Sequence, residues 1–366
     1  MDFFIELNKK YFLQNIKNIT HTTKKTIAPV IKSNAYGHGM KEIISLLKEA
    51  PTIDRICVAY TSEATEAAKL GWRKKIVIMS SSTDIILNNS FEYFVYSFEF
   101  FDELLKQAKK KKTIVNLHIK IDVGMNSLGF QENQIDKLIQ YLHEHKEKIN
   151  AVGICTHFPR INYALTTEIQ EQMTIFKKIV NKIKNIYPYI LVHPFSSKGI
   201  PLVNEFEEYC DFIRLGGSIY GLLNTEQRKK INFELKQIMT LKTKILSIKS
   251  VKKDDYIGYG VKTKTQDNTL VAIASLGYGY GLNNNCCDSF GSFNDQLCPI
   301  VGLICMNNIF FNISNLKEKP TIGDYLILTT EQIPEITAAN ISSRLLAERE
   351  YYLTSFLHSK IKRVII

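Results

Sequence analysis

The sequence predicts an α/β protein, with an N-terminal TIM (β/α)8 barrel over residues 1–235 and a smaller β-rich C-terminal domain over residues 236–366. Through the first 220 or so residues, short apolar runs alternate with helical patterns, which is typical of a parallel sheet. This unit occurs eight times, the number that closes a barrel. Beyond residue 230, β-like runs are separated only by Gly, Asn and Asp turns, which favours a second, β-rich domain.

The eight predicted barrel strands cover residues 27–32, 55–60, 75–80, 91–97, 115–122, 151–157, 189–197 and 212–221. Helical patterns such as MKEIISLLKEA and FFDELLKQAKK lie between them. An open doubly wound sheet is the alternative architecture. It is disfavoured because neither G-x-G-x-x-G nor G-x-x-x-x-G-K-[ST] follows any strand.

The predicted C-terminal domain contains the runs MTLKTKILSIKSV, TLVAIASL, CPIVGLICM, IFFNIS and GDYLILTT. Its closing stretch, TAANISSRLLAEREYYLTSFL, predicts a helix. The first run of the chain, FFIEL at residues 3–7, precedes a helix, and we expect it to pair with this domain instead of the barrel.

The charge balance is basic, with 47 Lys and Arg against 36 Asp and Glu, a net charge of +11. No zinc spacing, RNP-like aromatic motif or basic heptad accompanies the charge, so solvated helix faces are favoured over nucleic-acid binding. The N-terminal residues lack a signal-peptide pattern, and no apolar run approaches the ~20 residues of a membrane helix. Seven cysteines at irregular spacing predict a reduced, cytoplasmic protein without a metal site.

Barrel enzymes carry their chemistry at the C-terminal ends of the strands. Those ends supply Lys32, Asp122, His157, Ser196–Ser197 and Arg214. Lys32 lies in IAPVIKSNAYGHGM, where an apolar run meets a lysine and then a turn. On its own, such a lysine is a surface cation, a phosphate contact or a nucleophilic amine.

The motifs around these residues resemble those of the alanine racemase family. APVIKSNAYGHG is similar to the family's A-V-[VI]-K-A-N-A-Y-G-H-G, and HIKIDVGMNSLGF, GICTHF and IRLGGSIYGL resemble later segments in the same order. IGYGVKTKT, LGYGYG and GLICMNNI continue the resemblance into the second domain. The resemblance implies pyridoxal 5'-phosphate as cofactor and a barrel followed by a β-domain.

The resemblance also implies a role for each matching residue of the barrel. Lys32 would hold the cofactor covalently and act as a catalytic base. Arg214 would donate to the pyridine nitrogen, and His157 would lie against the ring or its phenolic oxygen. The cofactor phosphate would be bound by Tyr36, Ser197, Gly216, Gly217 and Tyr351. His38 is interpreted as structural.

A racemase needs a second base on the opposite face of Cα. The resemblance assigns this role to Tyr259, which arrives from the partner subunit, so a homodimer with shared active sites is expected. Tyr278 and Met306 would line the substrate side from the same partner. A pocket framed by such bulky side chains suits a small amino acid such as alanine.

Four positions bear on how far the resemblance extends. Ser127 stands where the family has an arginine that contacts the phenolic oxygen, and Asn307 and Tyr280 stand where it has aspartates. Lys120 matches a lysine that some members modify to a carbamate that pairs with that arginine. Because Ser127 cannot be its partner, we do not predict the carbamate.

The sequence therefore predicts an alanine racemase that interconverts L- and D-alanine and supplies D-alanine for peptidoglycan. A racemase of the same architecture with another or broader amino-acid range is the first alternative. A related amino-acid decarboxylase is less favoured because of the GYG tyrosine. A non-catalytic pyridoxal-phosphate carrier would lack the C-terminal domain.

Overall fold

The computed structural model describes residues 1–80, 84–260, 263–283, 286, 289–346 and 349–366. Within these ranges the strands are β1 (Phe3–Leu7), β2 (Thr26–Pro29), β3 (Arg55–Val58), β4 (Lys75–Ile78), β5 (Phe91–Val95), β6 (Val115–Lys120), β7 (Ile149–Cys155), β8 (Leu191–Val192), β9 (Phe212–Leu215), β10 (Met239–Val251), β11 (Thr269–Ser275), β12 (Phe290–Phe293), β13 (Gln296–Pro299), β14 (Asn308–Asn312), β15 (Tyr325–Thr329) and β16 (Arg363–Ile365). The helices are α1 (Lys9–Thr23), α2 (Lys32–Tyr36), α3 (Met40–Lys48), α4 (Thr61–Lys69), α5 (Phe98–Lys111), α6 (Ile135–Glu144), α7 (Thr167–Lys184), α8 (Thr225–Arg228), α9 (Ala338–Leu346) and α10 (Tyr352–Phe356).

Strands β2 to β9 form a closed parallel barrel. Strands β3 to β8 pair in chain order, and β2 pairs with β9. Parallel bridges close the two remaining gaps, one between Val30 and Cys57 and the other between Ser196 and Arg214. Each of the eight predicted strand regions overlaps one of these strands, so the predicted (β/α)8 barrel is confirmed.

The seventh barrel strand is much shorter than the sequence predicts. It covers Leu191–Val192 only, whereas the apolar pattern extends over residues 189–197. Pro194 lacks an N–H group for the strand ladder, so regular pairing cannot continue through it. Beyond Pro194 the chain leaves the regular strand, and Ser196 and Ser197 lie at the mouth of the barrel.

Two layers of apolar contacts stabilise the barrel. A small interior cluster is built from buried side chains of six different strands and the residue after β2: Ala28, Val30, Cys57, Val77, Phe94, Cys155 and Phe212. Helix α7 shows how the outer layer forms. The side chain of Thr166 caps its N-terminus by accepting from the Ile169 N–H at 3.3 Å. Its apolar residues recur every three or four positions and face the strands.

The C-terminal domain is built on an eight-stranded sheet around the long strand β10, which pairs with β1, β11 and β15. Strand β1 also pairs in parallel with β16, with Ile5 opposite Arg363. The N-terminal run FFIEL therefore lies in this second sheet, which confirms the expectation from the sequence. As a result, the first and last described strands of the chain are neighbours.

The closing segment of the chain forms two helices, α9 and α10, where the sequence predicts one. Residues 347 and 348 of the predicted helix lie outside the described residues. Tyr351 immediately precedes α10, and both Glu350 and Tyr351 line the cavity at the mouth of the barrel. Glu350 and Tyr351, which lie between α9 and α10, thus place two polar side chains of the second domain at the barrel cavity.

We find no helix in the described ranges that combines the length and the apolar character needed to cross a membrane.

Candidate active site

A cavity of about 340 Å³ opens at the C-terminal mouth of the barrel. The resemblance assigns a binding or catalytic role to eleven residues. Eight of them line this cavity, namely Lys32, Tyr36, His157, Ser197, Arg214, Gly216, Gly217 and Tyr351. Its volume lies in the range of small-molecule and cofactor sites. The convergence follows from the barrel, because the carboxyl ends of parallel strands meet at one face.

Lys32 begins a turn with a rare backbone conformation. Residues 33–36 are Ser, Asn, Ala and Tyr, and all have positive φ, between 53° and 54°. This left-handed backbone region costs a residue other than glycine about 1–2 kcal/mol, and glycine is its usual occupant. Four such residues in a row form a left-handed turn that the surrounding structure must stabilise.

Contacts from three separate elements hold this turn. The Ser33 N–H donates to Glu63 Oε1 of α4 at 2.6 Å, and the Met40 N–H donates to Asn34 Oδ1 at 2.9 Å. Arg363 of β16 donates from Nε and Nη2 to the Gly37 carbonyl at 3.0 and 2.8 Å. Because of these contacts, Lys32 lies on a rigid segment. His38 is fully buried and stacks on Tyr220 at 4.4 Å, which fits its structural interpretation.

Ser197, Gly216 and Ser218 form a cradle of polar groups on one side of the cavity. The N–H groups of Gly216 and Ser218 both donate to Ser197 Oγ, at 3.1 and 3.3 Å. The Ser218 hydroxyl is buried and has no hydrogen-bond partner within the described chain. N–H groups and hydroxyls that converge in this way are suited to a phosphate. Ser218 was not singled out by the sequence.

Two tyrosines complete the cradle. The ring of Tyr36 packs edge-on against Tyr351, with centroids 5.2 Å apart. Burial, with smaller effects of Tyr351 and Cys57, raises the pKa of Tyr36, so its hydroxyl stays protonated as a donor. A Cβ atom at Gly216 would lie 2.4 Å from the Tyr36 Oη, so the close approach of that hydroxyl requires glycine there.

Arg214 lies at the floor of the cavity, almost completely buried. Its Nη1 donates to Nδ1 of His193 at 2.7 Å and to the His193 carbonyl, while Nη2 donates to the Thr156 carbonyl at 2.7 Å. The Pro194 carbonyl accepts a longer bond of 3.5 Å from Nη2. The strand ends around it therefore determine where the guanidinium points.

Behind Arg214, a chain of buried side chains crosses the barrel. His193 Nε2 lies 2.9 Å from Nδ1 of His118, whose Nε2 lies 2.9 Å from Glu92 Oε2. A guanidinium can only donate, so His193 accepts at Nδ1 and carries its proton on Nε2, and His118 in turn donates to Glu92. Although burial opposes ionisation, the bond from His118 and the charges of Arg55 and Lys75 lower the pKa of Glu92.

His157 faces the same cavity from the end of β7. Burial, together with the charges of Lys120, Arg214 and Lys32, lowers its pKa to about 3. The imidazole is therefore neutral at physiological pH and is a hydrogen-bonding group rather than a cation. The same three charges show that His157 lies among the cationic side chains of the site.

The cavity also contains residues that the sequence reasoning missed or set aside. Lys198 and Glu350 form an ion pair across it, with Nζ and Oε1 2.9 Å apart. Tyr163 lies beside them, and burial, with the charge of Glu350, raises its pKa. Lys198 directly follows Ser197 in the loop after β8, so its position was a usable signal. The pairing of Lys198 with Glu350 left no signal in the sequence, because the two residues are 152 positions apart.

Tyr259, Tyr278 and Met306 do not line the cavity of this chain. They are exposed on neighbouring loops of the second domain, with 71%, 46% and 55% of their surfaces accessible. The loops meet through backbone contacts, such as the Tyr278 N–H to the Cys305 carbonyl at 3.1 Å. The second predicted base is thus outside the site that holds Lys32.

The positions that depart from the resembled motifs have separate surroundings. Ser127 lines the cavity, and its N–H donates to Asp122 Oδ2 at 2.9 Å. Tyr280 instead packs edge-on against Phe3 at 4.6 Å within the second domain. Asn307 lies on the surface next to Met306. Of these three positions, only Ser127 bears directly on the cavity.

A lysine after the first barrel strand, polar groups suited to a phosphate and a buried arginine below them are the arrangement expected of a barrel enzyme that binds a phosphorylated ligand. Residues 7–224 match the alanine racemase N-terminal domain family, and residues 238–365 match the alanine racemase C-terminal domain family. The chain belongs to the alanine racemase family. Members of this family are isomerases that use pyridoxal 5'-phosphate and are generally homodimers.

Individual relatives agree with this assignment. Alanine racemase of Clostridium tetani is 30% identical over 371 residues, covering 99% of this chain and 94% of the relative. The solved alanine racemase of Clostridium difficile 630 has a TM-score of 0.88 and 27% identity, covering 100% of this chain and 96% of that chain. Alanine racemase from Bartonella henselae, solved with covalently bound pyridoxal phosphate, shares the fold with a TM-score of 0.86 and 22% identity, covering 100% of both chains.

Proposed function

We propose that the protein is a pyridoxal 5'-phosphate-dependent alanine racemase that interconverts L- and D-alanine. The observation that carries the proposal is the convergence of Lys32, Arg214 and the Ser197–Gly216–Ser218 cradle in one cavity. Its family membership over both domains supports the same reaction.

The cavity fits this cofactor on three counts. The buried Ser218 hydroxyl has no partner in the described chain and is available to a phosphate oxygen. The absence of a Cβ at Gly216 leaves the Tyr36 hydroxyl in the cradle. Lys32, held by the left-handed turn, supplies a primary amine for the covalent link to the aldehyde.

The cofactor, when bound, withdraws electron density from Cα and so makes its hydrogen acidic. Arg214 sets how strongly this happens. Arg214 would donate a hydrogen bond to the ring nitrogen. Because a guanidinium keeps its protons, that nitrogen would remain unprotonated. His193 and the Thr156 carbonyl hold Arg214 in this orientation.

Racemisation needs one proton-transfer group on each face of Cα. We assign Lys32 Nζ to one face. We assign Tyr259 Oη of a second copy of the chain to the other, because Tyr259 is exposed and remote from the cavity of its own chain. Met125 and Leu128, which line the cavity and are 43% and 42% exposed, offer apolar surface at its mouth for such a copy.

Substrate range and biological role belong to the same proposal. Tyr278 and Met306 of the second copy would restrict the substrate side to a small side chain such as that of alanine. The D-alanine would serve peptidoglycan synthesis in the cytoplasm. A racemase of broader range is the second candidate, since Ser127 lines the cavity with a much smaller side chain than an arginine.

The decisive experiment is incubation of the purified enzyme with L-alanine, L-serine and L-lysine separately, followed by chiral chromatography. We expect D-alanine as the main product. Racemisation of serine or lysine with alanine unchanged would contradict the substrate assignment. The Lys32→Ala variant is expected to lose the absorbance of covalently bound cofactor, whereas Tyr259→Phe keeps it.

The shared site can be tested by subunit mixing. Lys32→Ala and Tyr259→Phe homodimers are each expected to be nearly inactive. After dissociation and reassembly, half of the dimers are mixed, and each mixed dimer has one site with both groups intact. Roughly a quarter of the wild-type activity should therefore return. If no activity returns although native mass spectrometry shows mixed dimers, the two bases come from the same chain.

A further inference from the structure

The cavity at the barrel mouth has more cationic than anionic groups. Within the described residues that line it, the cationic side chains are Lys32, Lys120, Lys198 and Arg214. Glu350 is the only carboxylate in this described lining, and it is paired with Lys198. The other three cations therefore call for an anionic ligand.

The proposed function accounts for two of these three cations. Lys32 is used for the covalent link, and Arg214 is held by His193 and backbone carbonyls at the cavity floor. The phosphate has its own cradle of N–H groups and hydroxyls after β8 and β9. Lys120 is the cation that remains without a role.

The charge of Asp122 acts on Lys120, but the two side chains form no ion pair within the described residues. Asp122 is two residues away, but its carboxylate is already used to shape the following loop. Its Oδ1 accepts the N–H groups of Gly124, Met125 and Asn126 at 2.9, 2.8 and 3.2 Å, and its Oδ2 accepts that of Ser127 at 2.9 Å. The side chain of Lys120 has no hydrogen bond or ion pair among the described residues, a costly state for a cation inside a cavity.

The position of Lys120 also fits a ligand attached to Lys32. Lys120 ends the fifth barrel strand and Lys32 follows the first, so the two lie on opposite sides of an eight-stranded barrel. Ser127 lines the same cavity with a short side chain and leaves room for a ligand group. A ligand held at Lys32 therefore presents its far side to Lys120.

We propose that Lys120 remains an unmodified ammonium group and binds the carboxylate of the amino-acid substrate. This inference rests on the proposed function, because it takes Lys32 to be engaged by the cofactor. Burial, and the charge of Arg214, lower the pKa of Lys120 to about 8, and a bound carboxylate favours its charged form.

The test uses the holoenzyme and propionate, which has the carboxylate and carbon skeleton of alanine but no amine. The dissociation constant of propionate is measured by its effect on the absorbance of the bound cofactor. Lys120→Met is expected to weaken propionate binding at least tenfold and to raise KM for alanine, since a hydrogen bond to a charged group is lost. The cofactor content and the spectrum without propionate should not change. Lys120→Arg keeps the charge and should bind propionate nearly as well as the wild type.

A second-site variant separates charge from folding. In Lys120→Met/Ser127→Arg, a guanidinium enters the same cavity from position 127 and should restore propionate binding.

Propionate affinity of Lys120→Met within twofold of the wild type would overturn the inference. So would a changed cofactor spectrum with unchanged propionate binding, which would place the cation at the phenolic oxygen. A carbamate on Lys120, detected by carbon-13 NMR after growth with labelled bicarbonate, would also overturn it, because the side chain would then be an anion. None of these outcomes depends on whether alanine is the preferred substrate.

Discussion

At the scale of single residues, Gly216 and Gly217 are adjacent but should respond differently to the same change. An added Cβ at Gly216 would lie 2.4 Å from the Tyr36 Oη and 2.7 Å from its Cζ, closer than real contacts allow. At Gly217 the nearest atoms would be 3.6 and 3.7 Å away, an ordinary contact distance. Only the first substitution should move the Tyr36 hydroxyl out of the phosphate cradle.

We therefore expect Gly216→Ala to weaken pyridoxal 5'-phosphate binding about tenfold or more, the equivalent of losing one charge-assisted hydrogen bond. Gly217→Ala is the matched control and should stay within about threefold of the wild type. Equilibrium titration of the cofactor-free protein with pyridoxal 5'-phosphate gives both values. Equal losses in the two variants would show that the steric contact with Tyr36 does not matter.

The residues of the site differ in how well the sequence could predict them. Lys32 and His157 follow barrel strands by two or three residues, and Arg214 is the penultimate residue of β9, so chain position alone was enough to predict that they share one cavity. The buried chain from Arg214 to Glu92 was not predicted, because it joins residues that are 75 and 26 positions apart. The inward-facing histidine in the apolar strand VNLHIK was the one local sign of it.

At the scale of elements, the left-handed turn after Lys32 depends on a strand of the other domain. Arg363 of β16 is buried and donates two bonds to the Gly37 carbonyl, and others to the carbonyls of Ser359 and Ile361. Gly37 can accept this neighbourhood only as glycine, since its Cβ would lie 1.7 Å from the Thr354 carbonyl oxygen. The C-terminal segment is thus part of the support for the turn that follows Lys32.

Replacing Arg363 by Met should therefore weaken the hold on the cofactor as well as the fold. Loss of the two charge-assisted bonds to Gly37 is expected to cost about 3 kcal/mol. At a temperature where circular dichroism still shows the native fold, we expect the variant to release its cofactor at least tenfold faster in dialysis. Arg363→Lys, which keeps the charge but not the fork of donors, should fall between the two. If Arg363→Met retains its cofactor as well as the wild type does, the turn after Lys32 does not need the bonds from Arg363.

Elements were predicted best where the apolar pattern was regular. The barrel strands from β3 to β7 were predicted to within a few residues, because fully buried parallel strands read as continuous apolar runs. The left-handed turn could not be predicted, since SNAYGHG contains four consecutive non-glycine residues in a rare conformation whose supports include long-range contacts from Glu63 and Arg363.

At the scale of the whole molecule, four buried histidines make the folded state sensitive to acid. Burial lowers the pKa of His38 and His157 to about 3, lowers that of His118, and lowers that of His193 well below its usual value. In the unfolded chain each titrates near pH 6.5. The unfolded state therefore binds more protons below that pH. The contribution of these histidines to the free energy of unfolding is complete above pH 6.5 and is lost as the pH falls below it.

Each histidine should remove up to about 1.4 kcal/mol of unfolding free energy per pH unit below 6.5. Urea unfolding at pH 7.5 and pH 5.5, with proton uptake measured at the lower pH, tests this. We expect uptake of about three to four protons per chain. His38→Gln, at a position that does not line the cavity, should reduce the uptake by about one. Uptake of less than one proton in the wild type would mean that the histidines are already charged in the folded state.

The proposed second base, Tyr259, is the part of the proposed site that one chain does not bring to the cavity. Tyr259 was singled out from its GYG motif, yet it lies exposed and outside the cavity of its own chain. No pattern within one sequence encodes the geometry between two copies. If a second copy supplies Tyr259, as proposed, the exposed aromatic and methionine side chains of the second domain would lie in the contact between the two copies.

The contact between Arg363 and Gly37 also sets an order of events during synthesis on the ribosome. Arg363 is translated 331 residues after Lys32. At 5–20 residues per second, the barrel waits roughly 15 to 65 seconds for this support. During that interval, Lys32 has emerged but its turn lacks the bonds from Arg363. The growing chain should therefore retain its cofactor at full strength only after translation of the β16 strand.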